Sequence, residues 1–330
     1  MKINMKQALV GTVVKNALKN MKDNPDRGIR NLVDMALQFS EGRFRRQFFS
    51  AAQTMLQNEN SAYYELVRNI ITYTDTERLY TFCMNLGYNG CTMGAGRIRK
   101  NEEALGFNIP WTIAVRVGDH TPENGERSCY TVIQEGQNLG VYVWMLFSAG
   151  HMQEALDLAR ANPDSVFFLF CEPEDLTGSI LDDASELNNI MFVIRYHEDS
   201  CDLCRSLRDM GFLYSVWYSY GRESLDIILN EDLFYCIQEL NPIFTVLAPE
   251  PTCPEEIRHQ VHQHVMHVRE LQKYHTIPWE LPGDNCMIDA VISGDACSVC
   301  FDENGNLCGW DGKQRARRQT CTGYVSKTFL

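Results

Sequence analysis

The sequence predicts an α/β protein in which an all-helical region precedes a parallel barrel of six β-α units, open or closed. Up to about residue 105, apolar residues recur at helical spacing, as in Leu9, Val13 and Ala17. After Gly106, nearly unbroken apolar runs alternate with amphipathic segments such as HMQEALDLARANP (151–163). Strand–helix units in series favour right-handed crossovers and a parallel sheet.

Breaks in the helical pattern set the elements of the N-terminal region. Pro25, Gly42 and the turn NENS (58–61) divide it into about four helices, and a further helix is predicted from Thr76. The predicted strands are the six apolar runs at 112–117, 141–147, 166–171, 191–196, 213–219 and 243–248. Ligands of parallel barrels bind in the loops after the C-terminal ends of the strands, so we expect the functional site there.

Composition indicates the cellular compartment in which we expect the protein. The chain has 330 residues, of which 45% are hydrophobic and 22% charged. No apolar stretch reaches the roughly 18–20 residues that span a bilayer. Lysines interrupt the N-terminal segment throughout, which is unlike a signal peptide. Thirteen cysteines without an export signal indicate a reducing compartment, and we expect a cytoplasmic protein.

Charge is distributed unevenly along the chain. Residues 1–105 hold 15 Lys and Arg against 10 Asp and Glu, a net charge of +5. The remainder holds 15 basic and 33 acidic residues, a net charge of −18. An acidic barrel argues against nucleic acid as the partner, because contacts with phosphate supply most of that affinity. We expect a small molecule or a protein partner instead.

Several polar residues fall at the predicted barrel mouth, just past the strands. His120, His151 and His197 follow the first, second and fourth strands, and Cys171 and Glu172 follow the third. Imidazoles and carboxylates on converging loops could hold a divalent metal and activate water, as in a metal-dependent hydrolase. Loops after strands are also polar for ordinary reasons, so a surface role stays open.

Four cysteines near the C-terminus form a candidate metal site. Cys286, Cys297, Cys300 and Cys308 have the spacing C-x10-C-x2-C-x7-C. A CxxC pair lets two thiolates contact one ion, and a hairpin can return a further thiolate. The alternative is that these are reduced cysteines without a metal.

The turn DENGN (302–306) between the last two cysteines can form in two ways. A two-residue turn on Asn304 and Gly305 places Cys300 and Cys308 on opposite faces of the hairpin. A three-residue turn with Gly305 left-handed pairs Asp302 with Asn306 and sets Cys300 directly across from Cys308. Only the second turn suits a site shared by the two thiols.

The order and spacing of several segments resemble the radical S-adenosylmethionine superfamily. The segments are GAGRIRKNEEAL (94–105), GFNIPWTI (106–113), LGVYVWMLFSAG (139–150), ANPDSVFFLF (161–170) and CSVCFDENGNLC (297–308). The resemblance implies a helical region over 1–105, a partial (β/α)6 TIM-like barrel over 106–280 and a small cysteine-containing extension over 281–330. It also implies that the extension could hold an auxiliary iron–sulfur cluster, for which zinc is the alternative.

The diagnostic motifs of that superfamily are missing. Its CxxxCxxC motif, in the loop after the first strand, holds a four-iron–four-sulfur cluster with three thiolates. Here the loop is GDHTPENGERSC (118–129), whose one cysteine is Cys129. The superfamily's GGEP motif after the second strand corresponds to SAGH, Ser148 to His151. Because one cysteine cannot replace three ligands, the canonical cluster with bound S-adenosylmethionine is not expected.

The resemblance and these departures together predict a degenerate radical-S-adenosylmethionine-like barrel. We expect it to lack the canonical cleavage of S-adenosylmethionine and to bind a ligand or a partner. The alternative is an active enzyme. It would use either an atypical iron–sulfur cluster or a hydrolytic metal held by His120, His151 and His197.

Overall fold

The computed structural model describes residues 5–38, 52–118, 128–293 and 297–308. The helices before the barrel are α1 (Met5–Asp23), α2 (Pro25–Gln38), α3 (Tyr63–Tyr73), α4 (Thr76–Cys83), a π-helix (Met84–Gly94) and α5 (Ala95–Leu105). Asp75 begins α4, because its carboxylate accepts hydrogen bonds from the backbone amides of Glu77 and Arg78. The all-helical character predicted for this region is observed over its described residues.

In the described ranges, nine strands form one open sheet. The strands are β1 (Thr112–Arg116), β2 (Val143–Phe147), β3 (Val166–Cys171), β4 (Ile190–Arg195), β5 (Tyr214–Tyr220), β6 (Phe244–Pro249), β7 (Ile277–Glu280), β8 (Val299–Phe301) and β9 (Leu307–Cys308). Their order is β7-β6-β5-β4-β3-β2-β1-β8-β9, and neighbours are parallel except β8 and β9. The predicted partial barrel is confirmed. The sequence did not predict β7, and β8 adds the C-terminal hairpin directly to the edge of β1.

Helices follow the strands, and all but the last of them pack on the outside of the sheet. They are α6 (Cys129–Leu139), α7 (Met152–Ala161), α8 (Gly178–Ala184), α9 (Ser200–Asp209), α10 (Leu225–Leu229), α11 (Asp232–Gln238), α12 (Glu255–Leu271) and α13 (Leu281–Ile292). The main core lies between the sheet and these helices, and Trp144, Phe167 and Phe192 are fully buried there. A second, smaller apolar cluster that includes Met145 and Phe170 covers the concave inner face of the sheet.

Helix α13 differs from the others because it lies against the concave face. Leu281 packs in the inner cluster, and the Asn285 side-chain amide lies 3.4 Å from the Met145 sulfur. Near its end, Asp289 Oδ1 accepts a hydrogen bond of 2.8 Å from the backbone amide of Trp111, just before β1. The helix therefore connects the C-terminal end of β7 to the N-terminal end of β1, from where the chain enters β8.

The N-terminal helices cover the end of the barrel that lies opposite the mouth. From the π-helix, Asn85 Nδ2 donates to the backbone carbonyls of Pro163 (2.8 Å) and Ser165 (3.0 Å), and Asn89 Nδ2 donates to Asp164 (2.8 Å). These carbonyls lie in the turn that leads into β3. The N-terminal end of this strand is therefore covered by the helical region.

One close backbone approach joins this region to the barrel. Gly140 has φ of +111°, and a Cβ there would lie 2.7 Å from the carbonyl oxygen of Gly94. A Cβ at Gly94 would lie 2.5 Å from the carbonyl oxygen of Gly140. Both positions therefore require glycine, Gly140 for its backbone conformation and both residues because a Cβ atom would not fit.

Among the described helices, none has the length and apolar content that a membrane crossing needs.

Candidate functional site

The loop after β1 ends in a buried cysteine. Ser128 caps α6 by accepting a hydrogen bond from the Thr131 amide, which places Cys129 at the first helical position. The Cys129 thiol lies 3.6 Å from the Arg116 carbonyl oxygen and 3.8 Å from that of Glu303, and the residue is 8% exposed. Burial raises the pKa of this thiol to about 11, so it is neutral at pH 7. His120 lies outside the described residues.

The turn after β2 has its polar groups paired within the chain. Asp175 accepts hydrogen bonds of 2.9 Å from the backbone amides of Gly150 and Glu172, one on each carboxylate oxygen. Ser148 is fully buried, and its hydroxyl donates to the carbonyl of Phe170 at 3.1 Å. The SAGH turn therefore directs its Gly150 amide to a carboxylate of the protein rather than toward the mouth.

Two of the predicted mouth residues meet across β3 and β4. Glu172 Oε1 lies 3.2 Å from Arg195 Nη1, and Glu172 Oε2 lies 3.7 Å from His197 Nε2. The Arg195 guanidinium also lies 5.3 Å from the centre of the Trp217 ring. All three polar side chains are partly exposed. The cluster thus combines a carboxylate, a guanidinium, an imidazole and an aromatic surface at the mouth.

Cys171, a further predicted mouth residue, faces away from this cluster. Cys171 is 1% exposed, packs in the core between sheet and helices, and points its thiol at the Val193 carbonyl 3.9 Å away. Burial raises the pKa of that thiol well above its usual range. His151 precedes α7, and its amide donates to the Ser148 carbonyl at 2.8 Å. Across the described ranges, no three His, Cys, Asp or Glu side chains are arranged to hold a metal.

The C-terminal hairpin forms the three-residue turn. Cys300 pairs with Cys308 and Phe301 with Leu307. The Asp302 amide donates to the Asn306 carbonyl at 2.8 Å, and Gly305 has φ of +71°. Of the two registers that the sequence allows, the structure therefore shows the one that places the two cysteines directly opposite each other.

Cys300 and Cys308 form a thiol pair beside a guanidinium. Both are buried on the concave face of the sheet, at 2% and 4% exposure. The Cys300 thiol lies 3.7 Å from the Phe301 carbonyl oxygen and directly across from Cys308. Arg116 ends the adjacent strand β1, two residues beyond Ala114, the partner of Cys300. Interaction with the Cys300 thiol lowers the pKa of Cys308, burial opposes this, and the charge of Arg116 lowers the pKa further. Cys308 is therefore the thiol of the pair that ionises first.

The remaining two cysteines of the predicted metal site lie apart from this pair. The Cys297 sulfur lies 3.5 Å from the Ser293 hydroxyl, and the Cys297 amide donates to the Asp289 carboxylate. Cys286 is half-buried on α13. The structure thus brings together two of the four predicted ligands, and a metal bound by all four stays a prediction.

The sequence analysis missed the two arginines of the mouth. Arg116 and Arg195 are the last residues of β1 and β4, and each contacts residues of the concave side. The signal was present, since the apolar runs TIAVR and MFVIR each end in a cation. A charged residue at the C-terminal end of a buried strand can extend its side chain into the mouth of a barrel. The two arginines were therefore predictable as residues of the mouth, but the sequence analysis did not name them.

We expect Cys129 to react slowly with alkylating agents. A thiol with a pKa of about 11 has on the order of a hundredfold less thiolate at pH 7 than an unperturbed cysteine. The exposed Cys201 and Cys236 provide internal references in the same chain. Timed iodoacetamide labelling followed by peptide mass spectrometry measures the three rates. Labelling of Cys129 as fast as Cys201 would contradict the buried, neutral thiol.

Comparisons with known proteins show similarity of fold. No protein-family model matches the sequence, and no curated protein matches it. The crystal structure of Streptococcus suis SuiB bound to S-adenosylmethionine is 9% identical, with a TM-score of 0.46, over 63% of this chain and 60% of SuiB. SuiB bound to the precursor peptide SuiA is 10% identical, with a TM-score of 0.44, over 63% of this chain and 61% of SuiB.

A third structure, of SuiB alone, is 8% identical, with a TM-score of 0.45, over 83% of this chain and 71% of SuiB. In the first two matches the chain spans about three fifths of the length of SuiB. At this level of identity the likeness concerns the fold alone.

Proposed function

We propose that the chain is a degenerate radical-S-adenosylmethionine-like barrel that binds a ligand or a protein partner and lacks the canonical cleavage reaction. The observation that carries this proposal is the state of Cys129. This cysteine is the one thiol in the loop after β1, and it is neutral, buried and hydrogen-bonded to backbone carbonyls.

The residues present do not fit the canonical four-iron–four-sulfur cluster. Such a cluster needs three thiolates from the loop after the first strand, and 118–129 supplies one cysteine. That cysteine would have to leave its contacts with Arg116 and Glu303 and lose its proton to bind iron. The Gly150 amide after β2 is held by Asp175, so it is not directed at a methionine carboxylate.

The mouth nevertheless has the chemistry of a binding surface. Phe147 and Phe170 stack with ring centres 4.6 Å apart, and Trp217 lies beside Phe170 at 6.3 Å. Arg195 lies over Trp217 and pairs with Glu172. Aromatic surfaces with a few convergent charged groups are typical of ligand sites. This composition supports a small molecule or a protein segment as the bound species.

We expect weak binding of S-adenosylmethionine and no reductive cleavage of it. Loss of a bidentate metal contact removes several kcal/mol, and each 1.4 kcal/mol weakens binding about tenfold, so the affinity should be roughly high-micromolar or weaker. Calorimetry measures the affinity, and chromatography after dithionite treatment measures 5′-deoxyadenosine. Sub-micromolar binding, or 5′-deoxyadenosine above a control without protein, would overturn the proposal.

Anaerobic iron–sulfur reconstitution tests the enzyme alternative. The protein is treated with iron and sulfide, desalted, and assayed for both elements and for zinc before and after treatment. We expect no cluster that depends on Cys129, so wild type and Cys129→Ser should retain equal amounts of iron. An iron content that falls in Cys129→Ser would favour an atypical active cluster. Zinc lost in His151→Ala and His197→Ala would favour the hydrolase alternative instead.

A further inference from the structure

We propose that Cys300 and Cys308 are a redox-active dithiol that closes to a disulfide across the β8–β9 hairpin, in exchange with a low-molecular-weight disulfide such as glutathione disulfide. The proposal starts from the register of the hairpin, which places the two cysteines directly opposite each other. It does not depend on the function proposed above.

The geometry of the strand pair suits a disulfide. The Asp302 amide donates to the Asn306 carbonyl, so these residues form a hydrogen-bonded pair. Along an antiparallel strand pair, hydrogen-bonded and non-hydrogen-bonded residue pairs alternate. The Cys300–Cys308 pair is two residues from Asp302–Asn306, so it is also a hydrogen-bonded pair. The Cα atoms of such a pair are about 5.5 Å apart. Disulfides join Cα atoms about 4.4–6.8 Å apart. Both side chains also lie on the same, concave face.

The surroundings of the pair suit thiol exchange. Cys300 faces Ala114 on β1, and this small side chain leaves room for the two sulfurs. Arg116, two residues along the same strand, lies on the same face of the sheet, and a nearby cation favours the reactive form of a thiol. Two thiols are fewer than the three or four protein ligands of ordinary zinc sites, and no third metal-binding side chain joins them among the described residues. The cluster is therefore better suited to two-electron thiol chemistry than to a closed metal site.

Access requires local opening of the hairpin. Cys308 is 4% exposed, so an external disulfide cannot reach its sulfur in the closed state. Within the part of the chain that the structure describes, strand β9 has two residues, lies at the edge of the sheet and pairs with β8 alone. Short edge elements with few hydrogen bonds open at low free-energy cost. Exchange should accordingly be slower at this pair than at an exposed cysteine, but it should proceed without unfolding of the barrel.

The exchange balances without a metal or a further cofactor. The Cys308 thiolate attacks one sulfur of glutathione disulfide and releases a glutathione thiolate, which takes a proton. Cys300 then loses its proton, and its thiolate attacks the Cys308 sulfur and displaces the second glutathione. Two protein thiols are oxidised to one disulfide, and one glutathione disulfide is reduced to two glutathione molecules.

The hairpin also contacts the beginning and the end of the loop after β1. The Glu303 carbonyl accepts from the Cys129 thiol at 3.8 Å, and a Cβ at Gly118 would lie 2.9 Å from the Glu303 Cβ. Closing the disulfide fixes the two strands that carry this turn. The redox state of the pair is thereby coupled to the first loop of the barrel mouth.

The test uses the full chain, equilibrated without oxygen in mixtures of reduced and oxidised glutathione. Free thiols are alkylated and the peptides mapped by mass spectrometry, with total zinc and iron measured first. We expect two thiols to be lost together, a Cys300–Cys308 linked peptide, and full recovery with dithiothreitol. Cys300→Ser and Cys308→Ser should abolish the linkage, whereas the matched control Cys297→Ser should retain it.

Three results would overturn the proposal. The first is a pair that stays fully alkylatable in every glutathione mixture. The second is stable mixed disulfides with glutathione that Cys300 does not resolve. The third is zinc or iron released on alkylation of these thiols, which would assign them to a metal. Because the linkage is mapped in the wild-type chain, the conclusion holds even if a serine variant folds poorly.

Discussion

Replacing Arg78 by methionine is expected to lower the free energy of unfolding by about 3–5 kcal/mol, since hydrogen bonds from a charged donor contribute about 1.5–3 kcal/mol each. Arg78 projects from α4 onto the turns that lead into β4 and β5 and is 4% exposed. Its guanidinium lies 3.9 Å from the centre of the Phe212 ring. The backbone carbonyls that accept from it are those of Ser185 (3.2 Å), Leu187 (3.3 Å), Met210 (3.4 Å) and Gly211 (2.8 Å).

The expected loss is smaller than the sum of these bonds because the charge itself is costly to bury. Burial lowers the pKa of Arg78, which shows that its cationic form is destabilised by desolvation. Methionine removes that cost and preserves much of the side-chain volume. It removes the guanidinium donor from the carbonyls of Ser185, Leu187 and Met210, of which that of Leu187 is buried, whereas the Gly211 carbonyl keeps the Asp75 amide at 3.0 Å. The lost hydrogen bonds outweigh the relief of desolvation.

Arg68→Met provides the matched control in the same helical region. Arg68 pairs with Asp26 at 2.7 Å, but both side chains are about half exposed. An exposed pair of this kind contributes about 0–1 kcal/mol. Urea unfolding followed by circular dichroism measures both variants. An Arg78→Met variant as stable as Arg68→Met would show that the guanidinium is not what holds the helical region against the barrel.

The strands of the barrel were predictable because they are buried on both faces. The run VFFLFC coincides with β3, and the other five predicted strands agree with the observed ones to within about two residues at each end. Strand β7 was missed because Pro278 and Glu280 interrupt its apolar pattern. Glu280 is buried through hydrogen bonds to Tyr220 and Gly283, which lie far from each other in sequence. The hydrophobic pattern of the sequence cannot predict hydrogen bonds between residues that are distant in the chain.

The candidate site was only partly predictable for a related reason. The sequence shows which residues follow a strand. It does not show on which face of the sheet each side chain lies. Glu172 and His197 meet at the mouth, whereas Cys171 points into the core. The hairpin register depended on Asp302, whose carboxylate accepts from the Asn304 and Asn306 amides and stabilises the three-residue turn. Sequence alone left both turns possible.

A second large effect is expected from the pH dependence that Glu280 gives to stability. Glu280 is 2% exposed at the C-terminal end of β7. Its carboxylate oxygens accept from the Tyr220 hydroxyl (2.7 Å) and from the Gly283 amide (2.6 Å). Burial is the main cause that raises its pKa to about 7. Asp284 raises it further, and the two hydrogen bonds and Arg258 partly oppose the shift.

The sign of the effect follows from the proton that the folded state retains. Between an unfolded pKa near 4.5 and the folded value of about 7, the native carboxyl is protonated while the unfolded one is ionised. Stability from this group is therefore complete below about pH 4.5, falls as the pH rises, and levels off above about pH 7. At 1.36 kcal/mol per pKa unit, the shift of about 2.5 units corresponds to a total decrease of about 3 kcal/mol.

Glu280→Gln removes this titration and retains a neutral side chain of the same shape. Relative to wild type, we expect the variant to gain about 2–3 kcal/mol between about pH 5 and about pH 8, because only the wild type must ionise a buried carboxyl. Burial also raises the pKa of Asp289 to about 7, so the wild-type curve alone does not isolate Glu280. Urea unfolding at a series of pH values gives the difference between the two proteins.

Glu256→Gln is the matched control, since Glu256 is an exposed glutamate on α12. Its difference from wild type should be nearly constant with pH, because this substitution leaves Glu280 and its hydrogen bonds unchanged. If Glu280→Gln also kept a constant offset from wild type, the buried carboxyl would have to be ionised already at about pH 5. Its hydrogen bonds with Tyr220 and Gly283 would then outweigh the cost of burial, contrary to the raised pKa.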